Sequence, residues 1–204
     1  MPKRRGIDYN GGCELLSLNS RSLGPADSHH FQTESMVVTE SERLTLRHAL
    51  PDDVVAMRTV FGDAEVMRYG DGPKSDRWVV SWITQMNHSY REHGYGLWVV
   101  TFKPSGLPIG YCGLTWFPSI NGQPEVEVGY RFARNHWGFG YATESAIAVR
   151  DYSYIDLGLN RLIAIIDPEN RRSIRVAEKL GMQYEGDVML PGYSHADSVY
   201  ACHR

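Results

Sequence analysis

VEVGYRFARNHWGFGYATESAIAVRDYSYID, residues 126–156, decides the fold. Val126 to Phe132 alternate as a strand does. A glycine-containing loop, RNHWGFGYATES (134–145), then leads into a helix running to about Asp156, and Gly158 is placed to stop it in the left-handed conformation. RLIAIID (161–167) is the next strand, so the segment is a β–α–β crossover. A strand passing through Gly138-x-Gly140 into a helix presents bare backbone N–H groups at the positive end of a helix dipole, which suits phosphate. A side chain there would hold the anion away from those donors. Two common phosphate motifs do not fit. A dinucleotide loop needs a third glycine where Thr143 stands, and no Gly-Lys-Ser/Thr occurs anywhere in the chain. Taken alone, the two glycines are equally compatible with a tight strand-to-helix turn.

The rest of the chain extends this unit in both directions. ERLTLR (42–47) alternates as a half-buried strand, and Pro51-Asp52-Asp53 opens a short helix through Phe61. Ser75 and Asp76 cap a second helix whose stripe is Trp78, Val79, Trp82, Ile83, Met86 and Tyr90. YGLWVVTF (95–102) and IGYCGLTWF (109–117), split by KPSGLP, form a hairpin, and Asn121-Gly122 signals a second tight turn. After the crossover come a helix from about Asn170 to Leu180, Gly181, and two strands over 183–190 and 197–203. The order β, α, α, β, β, β, α, β, α, β, β describes a mixed sheet. Residues 1–35 show no sustained period and read as a flexible N-terminal extension; periodicity starts at Met36 and marks one domain over 36–204.

Composition narrows the function. The chain has 204 residues, with 21 Lys+Arg against 24 Asp+Glu and a net charge of −3, so a nucleic-acid partner is not expected. Hydrophobic residues are 42% of the chain, enough for a sizeable core, yet no window approaches the roughly 20 apolar residues that span a bilayer. The basic opening MPKRRGIDYNGG lacks an apolar stretch behind it, so no secretory signal is expected. Cys13, Cys112 and Cys202 fit neither a disulfide framework nor a zinc pattern, and the eight histidines form no HxH or HExxH. Reduced thiols, no metal and a cytoplasmic location are the expectation.

The string EVGYRFARNHWGFGYATESA resembles the acetyl-CoA-binding segment of the GNAT N-acetyltransferase superfamily. More narrowly, it is similar to the RimJ/RimL-type branch of ribosomal-protein N-terminal acetyltransferases. ERLTLRHALPDD (42–53), EVMRYGDGP (65–73) and ENRRSIRVAEKLGMQYEG (169–186) agree, so the resemblance spans roughly residues 36–204. It implies an α/β (mixed α+β) GNAT-type acyl-CoA N-acyltransferase fold, a splayed mixed sheet of about seven strands flanked by four helices. It also implies that backbone near Phe132 pairs with the pantetheine amides. The amides of Gly138, Phe139, Gly140, Tyr141 and Ala142 would hold the pyrophosphate, with Asn170 and Ser173 facing the cofactor. Asn135 stands where the superfamily often has Gln or Arg, so weaker contacts are expected there.

Acetyl transfer needs a neutral amine, support for the tetrahedral oxyanion and a proton for the leaving thiolate. A lysine-like amine is only about 0.1% neutral at pH 7.5, whereas an α-amine is roughly 25% neutral, so a base matters more for the first. Glu127, two residues before Gly129, matches an acidic position of the family that acts through water; the alternative is an ion-paired strand residue. Glu125 is the runner-up. Many superfamily members carry an acid tyrosine where this chain has Ala177, which leaves Ser173 as the candidate partner of the sulfur. LPGY (190–193) stands where the branch has a carboxylate, with Tyr193 as a substitute or a packing residue. Trp116 and Phe117 either wall the acceptor pocket or end the core, and Cys112 is read as a small core residue rather than an acetyl carrier. The resulting expectation is an acetyl-CoA-dependent N-acetyltransferase, monomer or homodimer, acting on a protein N-terminus or a small-molecule amine. The alternative is a non-catalytic acyl-CoA-binding or sensing domain.

Overall fold

The computed structural model describes residues 36–204. The extension read over residues 1–35 lies outside the described residues. Chain order runs β1 (Val37–Glu40), β2 (Leu44–Arg47), a 3-10 turn (Pro51–Asp53), α1 (Val54–Phe61), α2 (Asp76–His93), β3 (Leu97–Phe102), β4 (Leu107–Ile120) and β5 (Gln123–Phe132). It continues through a 3-10 turn (Arg134–His136), α3 (Tyr141–Ile155), β6 (Arg161–Ile166), α4 (Arg171–Lys179), β7 (Gln183–Val188) and β8 (Asp197–His203).

Local chemistry sets the boundaries. Ser75 accepts the Trp78 N–H at 3.3 Å and starts α2, and Gly94 at φ 78° ends it. Asn121 and Gly122 both take positive φ, 49° and 90°, between the paired Ile120 and Gln123. That is the backbone twist a two-residue hairpin requires.

All eight strands form one sheet in the order β1-β2-β3-β4-β5-β6-β8-β7. Only β5 and β6 run parallel, and they share a single pair, Glu127 with Ile163. The eighth strand is β1, four residues paired to β2 and too short for its period to stand out in the sequence. On one face α1 and α2 bury Phe61 and Trp82 against Tyr111, at ring distances of 5.3 and 5.4 Å. On the other, Trp98 meets Tyr152 of α3 at 5.7 Å. Directly paired residues share a face, so Arg131 follows Tyr111 onto the α1/α2 side and Tyr130 follows Cys112 onto the α3 side. Among the described residues, no helix is long and apolar enough to cross a membrane.

Candidate functional site

Because β5 and β6 meet at one pair only, they part beyond Glu127, and their facing edges line a cavity of about 970 Å³. Val128 to Phe132 supply one wall, Ala164 to Asp167 the other, and the first turns of α3 and α4 close one end. The C-terminal end of parallel strands is where open α/β sheets place ligands.

Gly138 and Gly140 hold φ values of 83° and 85°, a conformation that residues with a Cβ rarely adopt. A Cβ built on Gly138 meets nothing within 4 Å, so the backbone there stands bare. Gly140 precedes α3 and its carbonyl accepts the Glu144 N–H at 3.0 Å. The N–H groups of the first helical turn have no partner within the helix. Gly138, Gly140, Tyr141 and Ala142 line the cavity, whereas the Phe139 side chain is 58% exposed and stacks on Tyr141 outside it. Phe132 is buried and its carbonyl accepts the Trp137 indole N–H at 2.8 Å, which pins the loop to the strand end. Asn170 and Ser173 both line the cavity, and the Asn170 side chain caps α4 by accepting the Ser173 N–H at 3.2 Å. Asn135 does not line it, but His136, Arg171, Arg172 and Arg175 do. One end of the cavity therefore combines bare amides, a helix N-terminus and guanidinium groups, a donor set suited to a polyphosphate.

Further in, Glu127 projects into the cavity from the α1/α2 face, and its Oε1 accepts the Ile165 N–H at 3.3 Å. Burial pushes its pKa up to about 7; the Ile165 bond and the Arg131 charge pull it down, and the Asp197 charge adds to the rise. A carboxyl group that titrates near neutrality is suited to taking a proton. Glu125 lies elsewhere. Gln123 donates to it at 2.7 Å, Arg161 holds it at 3.0 Å, and it is not part of the cavity wall. The two candidate carboxylates are thus separated by their partners. Phe117 lines the cavity, but Trp116 is 45% exposed and rests against His93. Tyr193 lines it as well, parallel to His195. Cys112 is buried away from the cavity, and burial pushes its thiol up to about 12, so it offers no thiolate for an acetyl-cysteine.

Three residues near Glu127 escaped sequence reasoning. His195 Nε2 lies 3.0 Å from Asp167 Oδ2 and 3.8 Å from Asp197 Oδ1, and both aspartates line the cavity. Asp167, a carboxylate ending an apolar parallel strand, carried a usable signal. Asp197 carried none, because only the pairing of β8 with β6 brings the end of the chain here.

Residues 43–183 match the family described as acetyltransferase (GNAT) domain. The YkkB protein of Bacillus subtilis is 39% identical over 133 residues, covering 65% of this chain and 77% of that one. A Bacillus licheniformis protein named as the N-acetyltransferase p20 is 33% identical over 161 residues, 76% of this chain and 86% of its own length. The crystal structure of an acetyltransferase from Agrobacterium tumefaciens superposes with a TM-score of 0.70 at 27% identity, covering 88% of this chain and all of that one.

Proposed function

Because the chain belongs to the acetyltransferase (GNAT) family, we propose that it transfers the acetyl group of acetyl-CoA to a primary amine by direct attack in a ternary complex. Glu127 carries this reading: a carboxyl group raised to about 7 stands where the two parallel strands part, in the same cavity as the phosphate-suited loop. The amides from Gly138 to Ala142 would hold the pyrophosphate, and the facing edges of β5 and β6 would take the pantetheine arm. Glu127 receives the proton of the attacking amine, directly or through one water, and returns it to solvent. A cytoplasmic site of action accords with the two buried free thiols, Cys112 and Cys202.

The acceptor follows from the same carboxylate. A base is most valuable to a lysine-like or polyamine nitrogen and less so to an α-amine. The RimJ/RimL-type resemblance nevertheless makes peptide N-termini part of any fair test. Purified protein, acetyl-CoA and a panel of N-terminal peptides, polyamines, aminoglycosides and amino acids should give amine-dependent thiol release and an acetylated product by mass spectrometry. Acetyl-CoA binding without thiol release for any amine would instead support the acyl-CoA-sensing alternative, to which Ala177 and the carboxylate-free LPGY (190–193) point.

A further inference from the structure

Tyr130 carries a buried hydroxyl that the scheme above leaves unused. It stands on β5 opposite Cys112, three residues beyond Glu127, so the two side chains leave opposite faces of the strand. Tyr130 lines the cavity, yet its hydroxyl is fully buried and makes no hydrogen bond of normal geometry; its polar neighbour is Ser173. A buried hydroxyl without a partner costs stability that a phenylalanine would not, so its presence calls for a reason. Ala177, one turn beyond Ser173 on α4, lines the same cavity and offers only a methyl group.

We propose that Tyr130 donates the hydrogen bond that holds the coenzyme's sulfur as the C–S bond breaks. This rests on the acetyl-transfer reading. An amine served by Glu127 enters from the α1/α2 face, which leaves the departing sulfur on the α3/α4 face with Tyr130 and Ser173. In that step the amine nitrogen bonds to the acetyl carbon and its proton passes to Glu127, then to water. The C–S bonding pair leaves with sulfur, and the thiolate accepts the Tyr130 O–H until it takes a proton from water on release. Tyr130 stays a neutral phenol throughout. Burial raises its pKa above the ordinary tyrosine value, so the donor is present at every working pH.

Tyr130→Phe tests this through three measurements: melting temperature, kcat from pH 6 to 9, and calorimetric affinity for CoA and desulfo-CoA. The expected result is an unchanged or higher melting temperature and a kcat lowered about 10- to 100-fold at every pH. CoA affinity falls while desulfo-CoA affinity stays as in wild type, because only the sulfur contact is lost. An unchanged kcat would overturn the assignment. So would equal losses for CoA and desulfo-CoA, or a lower melting temperature, either of which makes the hydroxyl a packing or pantetheine contact. A wild type that releases thiol with none of the amines defeats the acetyl-transfer reading, and the pair of coenzyme affinities still decides the sulfur contact. A wild type that turns over, with a flat comparison, defeats the sulfur assignment alone.

Discussion

Arg43, in the turn between β1 and β2, is joined to Glu144, just beyond the Gly138–Gly140 loop, across 101 residues. The Arg43 Nε and Nη2 lie 2.7 and 2.6 Å from Glu144 Oε2, while the Arg43 backbone N–H and Ser41 Oγ donate to Oε1 at 2.9 and 2.7 Å. Nη2 also donates to the Phe139 carbonyl at 3.0 Å, and the guanidinium lies 4.7 Å over the Tyr141 ring. Glu144 sits in the first turn of α3, where a carboxylate complements the helix dipole. The loop that would grip the pyrophosphate is therefore held from the turn between β1 and β2.

Arg43→Ala should raise the KM for acetyl-CoA several-fold and leave kcat within about twofold, since Arg43 touches the loop and not Glu127. Steady-state kinetics with acetyl-CoA varied at saturating amine check the split; a fall in kcat with constant KM would refute the positioning role.

Glu144→Gln tests the same link through pH. Burial raises the Glu144 pKa, but the bonds from Ser41 and Arg43 and the Arg43 charge outweigh it, holding the carboxyl below the usual glutamate range. A group depressed in the native state contributes stability that is present above the unfolded pKa and lost as pH falls through the native one. Glu144→Gln should thus cost about 1 kcal/mol, some 2–4 °C, at pH 7. Thermal melts should show that difference shrinking as the pH drops below 4.5.

Gly140→Ala should weaken acetyl-CoA binding by more than tenfold, over about 1.4 kcal/mol. The cause is conformational as well as steric. Gly140 holds φ 85°, so any side chain strains the residue that sets up the first turn of α3, at a cost of about 1–3 kcal/mol. Calorimetric titration with acetyl-CoA, with a thermal melt to show the variant folded, reads both effects.

Local features were legible in the sequence because local chemistry specifies them. The two glycines, the Asn121-Gly122 turn, the Ser75 cap and the alternation of 126–132 each act within a few residues. The crossover then followed from chain order, and with the resemblance it led to a splayed sheet. The partners of the carboxylates were not legible. Glu125 and Glu127 have the same local pattern, and what separates them is Arg161 on one and Ile165 with a cavity on the other. Asp197 reaches the site only because β8 pairs with β6, a non-local choice that no period encodes.

Asp197→Asn should shift the kcat/KM profile toward lower pH. The Asp197 charge contributes to the raised pKa of Glu127, although burial is the larger cause. Removing that negative charge makes ionisation of Glu127 easier, so the rising limb should move to the acid side while the plateau stays. A rising limb at the wild-type position would mean that Asp197 does not act on the base.

Glu127→Gln removes the proposed base. In wild type, kcat/KM should rise through pH about 7 as Glu127 ionises, then level off. Glu127→Gln should lower kcat about 10²–10⁴-fold at neutral pH and leave acetyl-CoA affinity nearly intact, because the proposed base would face the amine rather than the coenzyme phosphates. Its residual rate should keep climbing to pH 10, following the neutral fraction of the amine, so the deficit narrows with pH and is smaller for an α-amine than for a lysine-like one. Stability should move the opposite way. The folded state holds this proton up to pH about 7 whereas an ordinary glutamate releases it near 4.5, so ionisation destabilises the native state across that window. Glu127→Gln should then melt above wild type at pH 8 and level with it near pH 4.5. Rate profiles from pH 6 to 10 and melts from pH 4 to 8 test both halves, and parallel, barely lowered rate profiles would remove Glu127 from the mechanism.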